Sequence, residues 1–160
     1  MVASGRIPVA AYPQGYMDKG LIGMEFAGTL AGDKTGRRVM GFTGSKSVAT
    51  TVELTNRNFI WQVPEKWSLS DAATVPLAYV TAYYALYVRG EMRPGETVLI
   101  HAGAGAVGQA AINVCLGGGC RVYVTCGSKS KRDFLKTEFG LTDDDIFVKN
   151  LFLRQTVDEA

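Results

Sequence analysis

Thr97-Val-Leu-Ile-His-Ala-Gly-Ala-Gly-Ala-Val-Gly108 is the stretch that decides the fold of this chain. A β-branched apolar run leads straight into Gly103-x-Gly105-x-x-Gly108, and an Ala-rich segment, Gln109 to Leu116, follows. Strand, glycine turn and helix in that order make a dinucleotide-binding unit. The glycines have separate jobs: one makes the tight turn, one admits a pyrophosphate, one lets helix pack on strand. The phosphates then rest on the helix N-terminus, where unpaired N–H groups and the dipole favour anions. Gly-rich turns also occur as plain structure, but the flanking strand and helix here supply the context the motif requires.

The next element bears on the choice of dinucleotide. Arg121-Val-Tyr-Val-Thr-Cys126 reads as a second short, β-branched strand. An NAD site needs Asp or Glu about 20 residues past the motif to accept the ribose 2′-hydroxyl. This chain offers Gly127-Ser-Lys-Ser-Lys-Arg132 there, with no acid before Asp133. Three cations and two hydroxyls suit a 2′-phosphate and leave a ribose diol unpaired. A solvated basic helix start is the bland reading, but the position at the end of the second strand favours NADPH.

Working outward, residues 1–66 read as an all-β region. Gly23–Gly28, Arg38–Phe42 and Ala49–Leu54 are short strands between Gly, Asp and Ser turns, with Asp33-Lys-Thr-Gly36 as a hairpin connection. Val63-Pro64 ends the last strand. Ser68-Leu-Ser-Asp71 is a capping-box pattern opening a helix over 69–74. Pro76 fits the first turn of a second helix, Leu77 to Arg89, closed by Gly90. Beyond the glycine motif, Lys129–Phe139 reads as a helix ending at Gly140, and Ile146-Phe-Val148 starts a third strand. The expected class is α/β: a partial Rossmann-type doubly wound parallel sheet preceded by a partial GroES-like β-barrel lobe. A doubly wound sheet needs five or six strands, so the chain reads as a fragment cut at both ends.

Composition narrows the function classes. A net charge of +2 gives no reason to expect nucleic acid. Three cysteines (115, 120 and 126) without CxxC spacing read as free, buried thiols in a cytoplasmic protein. No secretion leader is visible at the N-terminus. Residues 72–88 are apolar but carry Pro76, Thr81 and four tyrosines, which suits a buried helix better than a membrane span.

These motifs, together with Leu21–Gly28, Gly36–Gly41, Trp67–Ala73, Val75-Pro76, Thr81–Tyr84, Val88–Gly90, Pro94–His101 and Gly117–Val122, resemble the enoyl reductase domain of animal-type fatty acid synthase. That domain is a member of the zinc-free branch of the medium-chain dehydrogenase/reductase superfamily. The resemblance covers about residues 1–150, and 151–160 form an unmatched tail. It implies a β-rich catalytic lobe over 1–76 and an NADPH-binding Rossmann half over 77–150. Zinc alcohol dehydrogenases have Gly-His-Glu where this chain has Gly23-Met24-Glu25, and Cys where Leu77 stands; thioether and isobutyl groups cannot replace those ligands, so no catalytic metal is expected.

The activity so implied is hydride transfer from NADPH to the β-carbon of a trans-2-enoyl thioester. The acyl chain would arrive on the phosphopantetheine arm of a carrier domain, among the other domains of a homodimeric megaenzyme. Gly103, Gly105, Ala106, Val107 and Gly108 would hold the pyrophosphate; Ser128, Lys131 and Arg132 would read the 2′-phosphate. Thr81 would lie near the nicotinamide, or simply bond its own helix backbone. The family's proton donors, a Lys and an Asp, fall beyond residue 150, so no catalytic residue is assigned. A reducing polyketide synthase module, a free-standing quinone reductase and a non-catalytic remnant stay open as alternatives. Tyr79, Tyr83, Tyr84 and Tyr87 are expected to pack their helix, Trp61 and Trp67 to fill core, His101 to be structural or cofactor-adjacent, and Asp143-Asp-Asp145 to be a solvated turn.

Overall fold

The computed structural model describes residues 23–43, 52 and 56–148. The chain divides into two compact units, Met1–Leu77 and Ala78–Ala160.

The first unit is built on an antiparallel meander of β1 (Glu25–Thr29), β2 (Arg38–Phe42) and β3 (Ile60–Gln62). β1 and β2 pair from Glu25↔Phe42 to Thr29↔Arg38. Their connection is the expected one. Asp33 Oδ1 accepts from the Thr35 amide at 2.9 Å and its hydroxyl at 2.7 Å, an Asx-type turn. The amide of Leu30 then closes onto the Arg37 carbonyl at 3.0 Å.

β3 stops just before Val63-Pro64, where the sequence marked a strand end without giving its start. Asn56 caps a 3₁₀ turn, Arg57–Phe59, which delivers Ile60 onto Gly41 of β2. The strand expected over 49–54 falls outside the described residues apart from Val52. Trp61 and Trp67 do not fill core as expected: each is 38% exposed. Trp61 instead lies over Phe42, centroids 6.2 Å apart, extending a Phe42–Phe59 pair at 4.5 Å.

Arg38 fastens β2 to the turn after β3, donating to the carbonyls of Trp67, Glu65 and Pro64 at 2.7, 2.9 and 3.1 Å. The capping box forms as read, opening α1 (Leu69–Ala72): the Ser68 hydroxyl accepts from the Asp71 amide, and the Asp71 carboxylate accepts from the Ser68 amide. The helix expected to run to residue 74 stops at Ala72. Pro76 is the first residue of α2 (Pro76–Tyr83), and Glu25 Oε2 accepts from the Leu77 amide at 3.0 Å. A carboxylate at a helix N-terminus satisfies an orphan donor and complements the dipole.

The expected α-helix to Arg89 ends at Tyr83. Tyr84–Arg89 is wound as a π-helix, and the amide of Gly90 reaches the Ala85 carbonyl, five residues back, at 2.9 Å. This widening alters the tyrosine stripe. Tyr83 and Tyr84 are more than half exposed, and Tyr87 packs against the core of the second unit.

That second unit carries a parallel sheet of β4 (Thr97–Ile100), β5 (Arg121–Cys126) and β6 (Ile146–Val148), in the order β4-β5-β6. The crossovers are α3 (Ala106–Gly117) and α4 (Lys129–Phe139). β5 and α4 have the limits read from sequence, and β6 begins where read. One sheet face is buried: Ile100, Val122, Val124, Cys126 and Ile146 cluster with Ala110, Ala111, Ile112 and Cys115 of α3 and Leu135 of α4. On the other, Leu99 and Phe147 stay 40% and 41% exposed beside Tyr123. Parallel sheets are ordinarily covered on both faces, so this row is half of a doubly wound layer.

α3 closes with a Schellman motif at Gly119, φ +74. The amide of Cys120 returns to the Cys115 carbonyl at 2.9 Å and that of Gly119 to Leu116 at 3.1 Å. Burial first, and neighbouring Cys120 second, push the Cys115 thiol up to about 11, so it is a protonated packing group at neutral pH.

Glu25→Ala removes the cap of α2 and is expected to cost about 1 kcal/mol in chemical denaturation, with Glu25→Gln keeping most of it. Equal stability of all three proteins would show that the contact is idle.

Candidate cofactor site

The chemistry gathers where β4 and β5 end. These strands are parallel, with Ile100 beside Val124, so the loops leaving their carboxyl ends start side by side. In open α/β sheets this is the edge where ligands bind.

The first loop, residues 101–105, is packed without side chains. A β-carbon on Gly103 would stand 2.9 Å from Val124 Cβ, and one on Gly108 would stand 2.5 Å from the Ala102 oxygen and 2.7 Å from the Gly103 oxygen. Gly105, the N-cap of α3, is looser: its nearest neighbour would be the Ala102 oxygen at 3.3 Å. The glycines at 103 and 108 thus press helix onto loop and loop onto strand.

Several amides of this loop are spoken for. That of Gly105 closes on the Ala102 carbonyl at 2.9 Å, and that of Gln109 on the Gly105 carbonyl at 2.8 Å. The Gln109 side chain donates to the Ala104 carbonyl at 3.0 Å. No backbone carbonyl among the described residues accepts from Ala104, Ala106, Val107 or Gly108. Those four N–H groups lie at the positive end of a twelve-residue helix, the arrangement that holds an anion.

Thr125 anchors the loop to β5. Its carbonyl accepts from Gly103 at 3.0 Å, and its hydroxyl oxygen accepts from Ala102 at 3.1 Å and stands 3.2 Å from His101 Nδ1. Sequence reasoning missed it, since a threonine inside a β-branched strand carries no separate signal.

The second loop holds the cations. Ser128 is the N-cap of α4, its hydroxyl accepting from the Lys131 amide at 3.4 Å and lying 3.2 Å from Ser130 Oγ. Lys129, Ser130 and Lys131 are exposed, and neither lysine has a carboxylate partner among the described residues.

Arg132 is differently placed. Its Nε lies 2.9 Å from Asp143 Oδ1, and its Nη2 donates to the carbonyls of Asp143 and Ile146, both at 3.2 Å. Lys136 Nζ meets the other Asp143 oxygen at 2.6 Å. The Lys136 bond first, then the charges of Lys136 and Arg132, hold the Asp143 carboxyl below its usual range. So Asp143–Asp145 is a largely exposed turn, as expected, wound as 3₁₀, pinned through Asp143 and closed by a Thr142–Asp145 capping box.

Thr81 stands exposed on α2 and is not among the groups gathered at the ends of β4 and β5. Among the described residues, no group of three His, Cys, Asp or Glu side chains could hold a metal ion, and no helix is long and apolar enough to cross a membrane.

No family model matches the chain. It is 40% identical over 151 residues to Compactin diketide synthase mlcB of Penicillium citrinum, covering 92% of this chain and 6% of that protein. It is 46% identical over 103 residues to Highly reducing polyketide synthase PKS2 of Leptosphaeria maculans, covering 64% of this chain and 4% of that protein. Among solved structures it is similar to the CurK enoyl reductase (32% identity, TM-score 0.63, 80% of this chain and 40% of that one). It is also similar to the quinone oxidoreductase of Thermus thermophilus, solved with and without NADPH (36% identity, TM-score 0.59, 68% and 35%). The chain therefore spans a small part of its curated relatives and well under half of these structures. The fold is that of such reductases: a partial GroES-like β lobe followed by a partial Rossmann unit.

Gly108→Ala forces a methyl against two backbone carbonyls and is expected to cost about 1–3 kcal/mol. Gly105→Ala, with a single neighbour at 3.3 Å, should cost well under half as much. Parallel urea denaturation of the two variants checks the order.

Proposed function

We propose that this chain is the coenzyme-binding part of an NADPH-dependent enoyl-thioester reductase, and that its parent is a reducing polyketide synthase. The carrying observation is the end of β5, where a required acid is replaced by Ser128, Lys129, Ser130 and Lys131. An NAD-binding strand needs a carboxylate there to accept from the ribose diol. Lysines without a carboxylate partner among the described residues, beside hydroxyls, suit a 2′-phosphate. The names of the relatives favour a polyketide synthase over the fatty acid synthase of the first resemblance, and the CurK likeness favours enoyl reduction.

In this reading the unclaimed amides of Ala104, Ala106, Val107 and Gly108 hold the pyrophosphate, with Gly103 and Gly105 shaping the turn. Lys129 joins Ser128 and Lys131 at the 2′-phosphate. Arg132 supports them by pinning the 143–146 turn, since its guanidinium already holds three protein groups. Thr81 is assigned to the nicotinamide by the resemblance alone. The bound coenzyme supplies the hydride that reduces the enoyl β-carbon. The acyl group comes on a carrier domain of the same polypeptide. Quinone reduction is the second reading, on the strength of the Thermus likeness.

Coenzyme fluorescence titrations of the purified chain test the proposal. NADPH, and not NADH, should gain emission. Lys131→Glu should weaken NADPH by roughly tenfold or more, the scale of one hydrogen bond to a charged group, and leave NADH unchanged. Arg132→Met should lower folding stability by about 1–3 kcal/mol while the preference for NADPH survives. Indifference of the wild-type chain to both coenzymes would sink the reading. Assays of the full-length parent with a crotonyl thioester and with a p-quinone separate the two activities.

A further inference from the structure

The loop that opens α3 holds a residue in a conformation its own chemistry disfavours. Ala102 sits at φ +55, a left-handed conformation that a β-carbon penalises and that survives only where surroundings impose it. Its carbonyl accepts the Gly105 amide and stands where a β-carbon on Gly108 would collide with it. The peptide planes of Ala102 therefore set where the turn and the first residues of α3 stand.

Thr125 supplies what Ala102 lacks. It is 4% exposed, close to the end of β5, and fixed by strand pairing to Phe147. Its carbonyl bond to Gly103 could come from any residue at that position. The bond from the Ala102 amide to the Thr125 hydroxyl oxygen could not. We infer that Thr125 is the positioning residue of the coenzyme loop: its hydroxyl holds Ala102 left-handed and so fixes the spacing of the amides at 104, 106, 107 and 108. The functional half rests on the proposed NADPH site; the conformational half does not.

Thr125→Val keeps the shape and strand preference of the side chain and deletes only the hydroxyl. Thr125→Ser restores it. Amide exchange of Ala102 by NMR should be at least roughly tenfold faster in the valine variant and near wild type in the serine variant, as for loss of one intramolecular hydrogen bond. The NADPH dissociation constant should rise roughly tenfold in the valine variant and stay near wild type in the serine variant. Adding Ala102→Gly to the valine variant should recover most of that affinity, because glycine takes positive φ without penalty.

Wild-type exchange or wild-type affinity in Thr125→Val overturns the assignment. Should the unmodified chain bind no NADPH, the coenzyme reading falls, and exchange at Ala102 alone decides whether Thr125 pins the loop.

Discussion

No side chain fits between the start of α3 and the turn before it, and most of the second unit follows from that. A β-carbon on Gly108 would collide with the carbonyls of Ala102 and Gly103, and one on Gly103 with Val124 of β5. This double contact seats α3 directly on the sheet, and the small residues Ala110 and Ala111 let Ile112 and Cys115 reach the buried face. Burial of that face supplies the apolar area that stabilises the unit. The same closeness aims the helix N-terminus at the ends of the strands. Packing and anion affinity thus have one geometric source.

What the sequence made legible was whatever repeats locally. β5 announces itself by a β-branched run, and α4 by a serine cap and a terminal glycine, so these limits could be read to the residue, as could the start of β6. β3 could not: three residues after an Asn-capped turn are too few for alternation to register. The π-helical turn at Tyr84–Arg89 leaves no mark in composition either, and with it went the expected packing of Tyr83 and Tyr84. In the candidate site the glycines were visible because the motif is contiguous. Thr125 and the restraint on Arg132 were hidden because their partners are distant in sequence. Asp143 lies eleven residues past Arg132 and returns only through α4 and the turn that follows.

The first unit shows a related economy. Glu25 and Leu77 meet as a carboxylate and a helix-terminal amide. A partly buried carboxylate needs a donor, and the first turn of α2 has donors to spare. The pair fastens a strand edge to a helix start across 52 residues of chain.

The division between Arg132 and the lysines bears on how the proposed site would choose its coenzyme. A guanidinium recognises phosphate by shape, through paired parallel hydrogen bonds, whereas an ammonium is a mobile point charge. With Arg132 held by Asp143 and the Ile146 carbonyl, recognition in the proposed site would rest on Lys129, Lys131 and two hydroxyls. All four lie exposed. Exposed charges are screened over a Debye length of about 8 Å at physiological ionic strength. The amides of α3, by contrast, are fixed dipoles held by buried packing and lose little to salt. The pyrophosphate contribution to binding should therefore persist as ionic strength rises, while the preference for the 2′-phosphate contracts. A selectivity that stayed constant with salt would require a shape-reading partner which Arg132, as it is bonded here, does not provide.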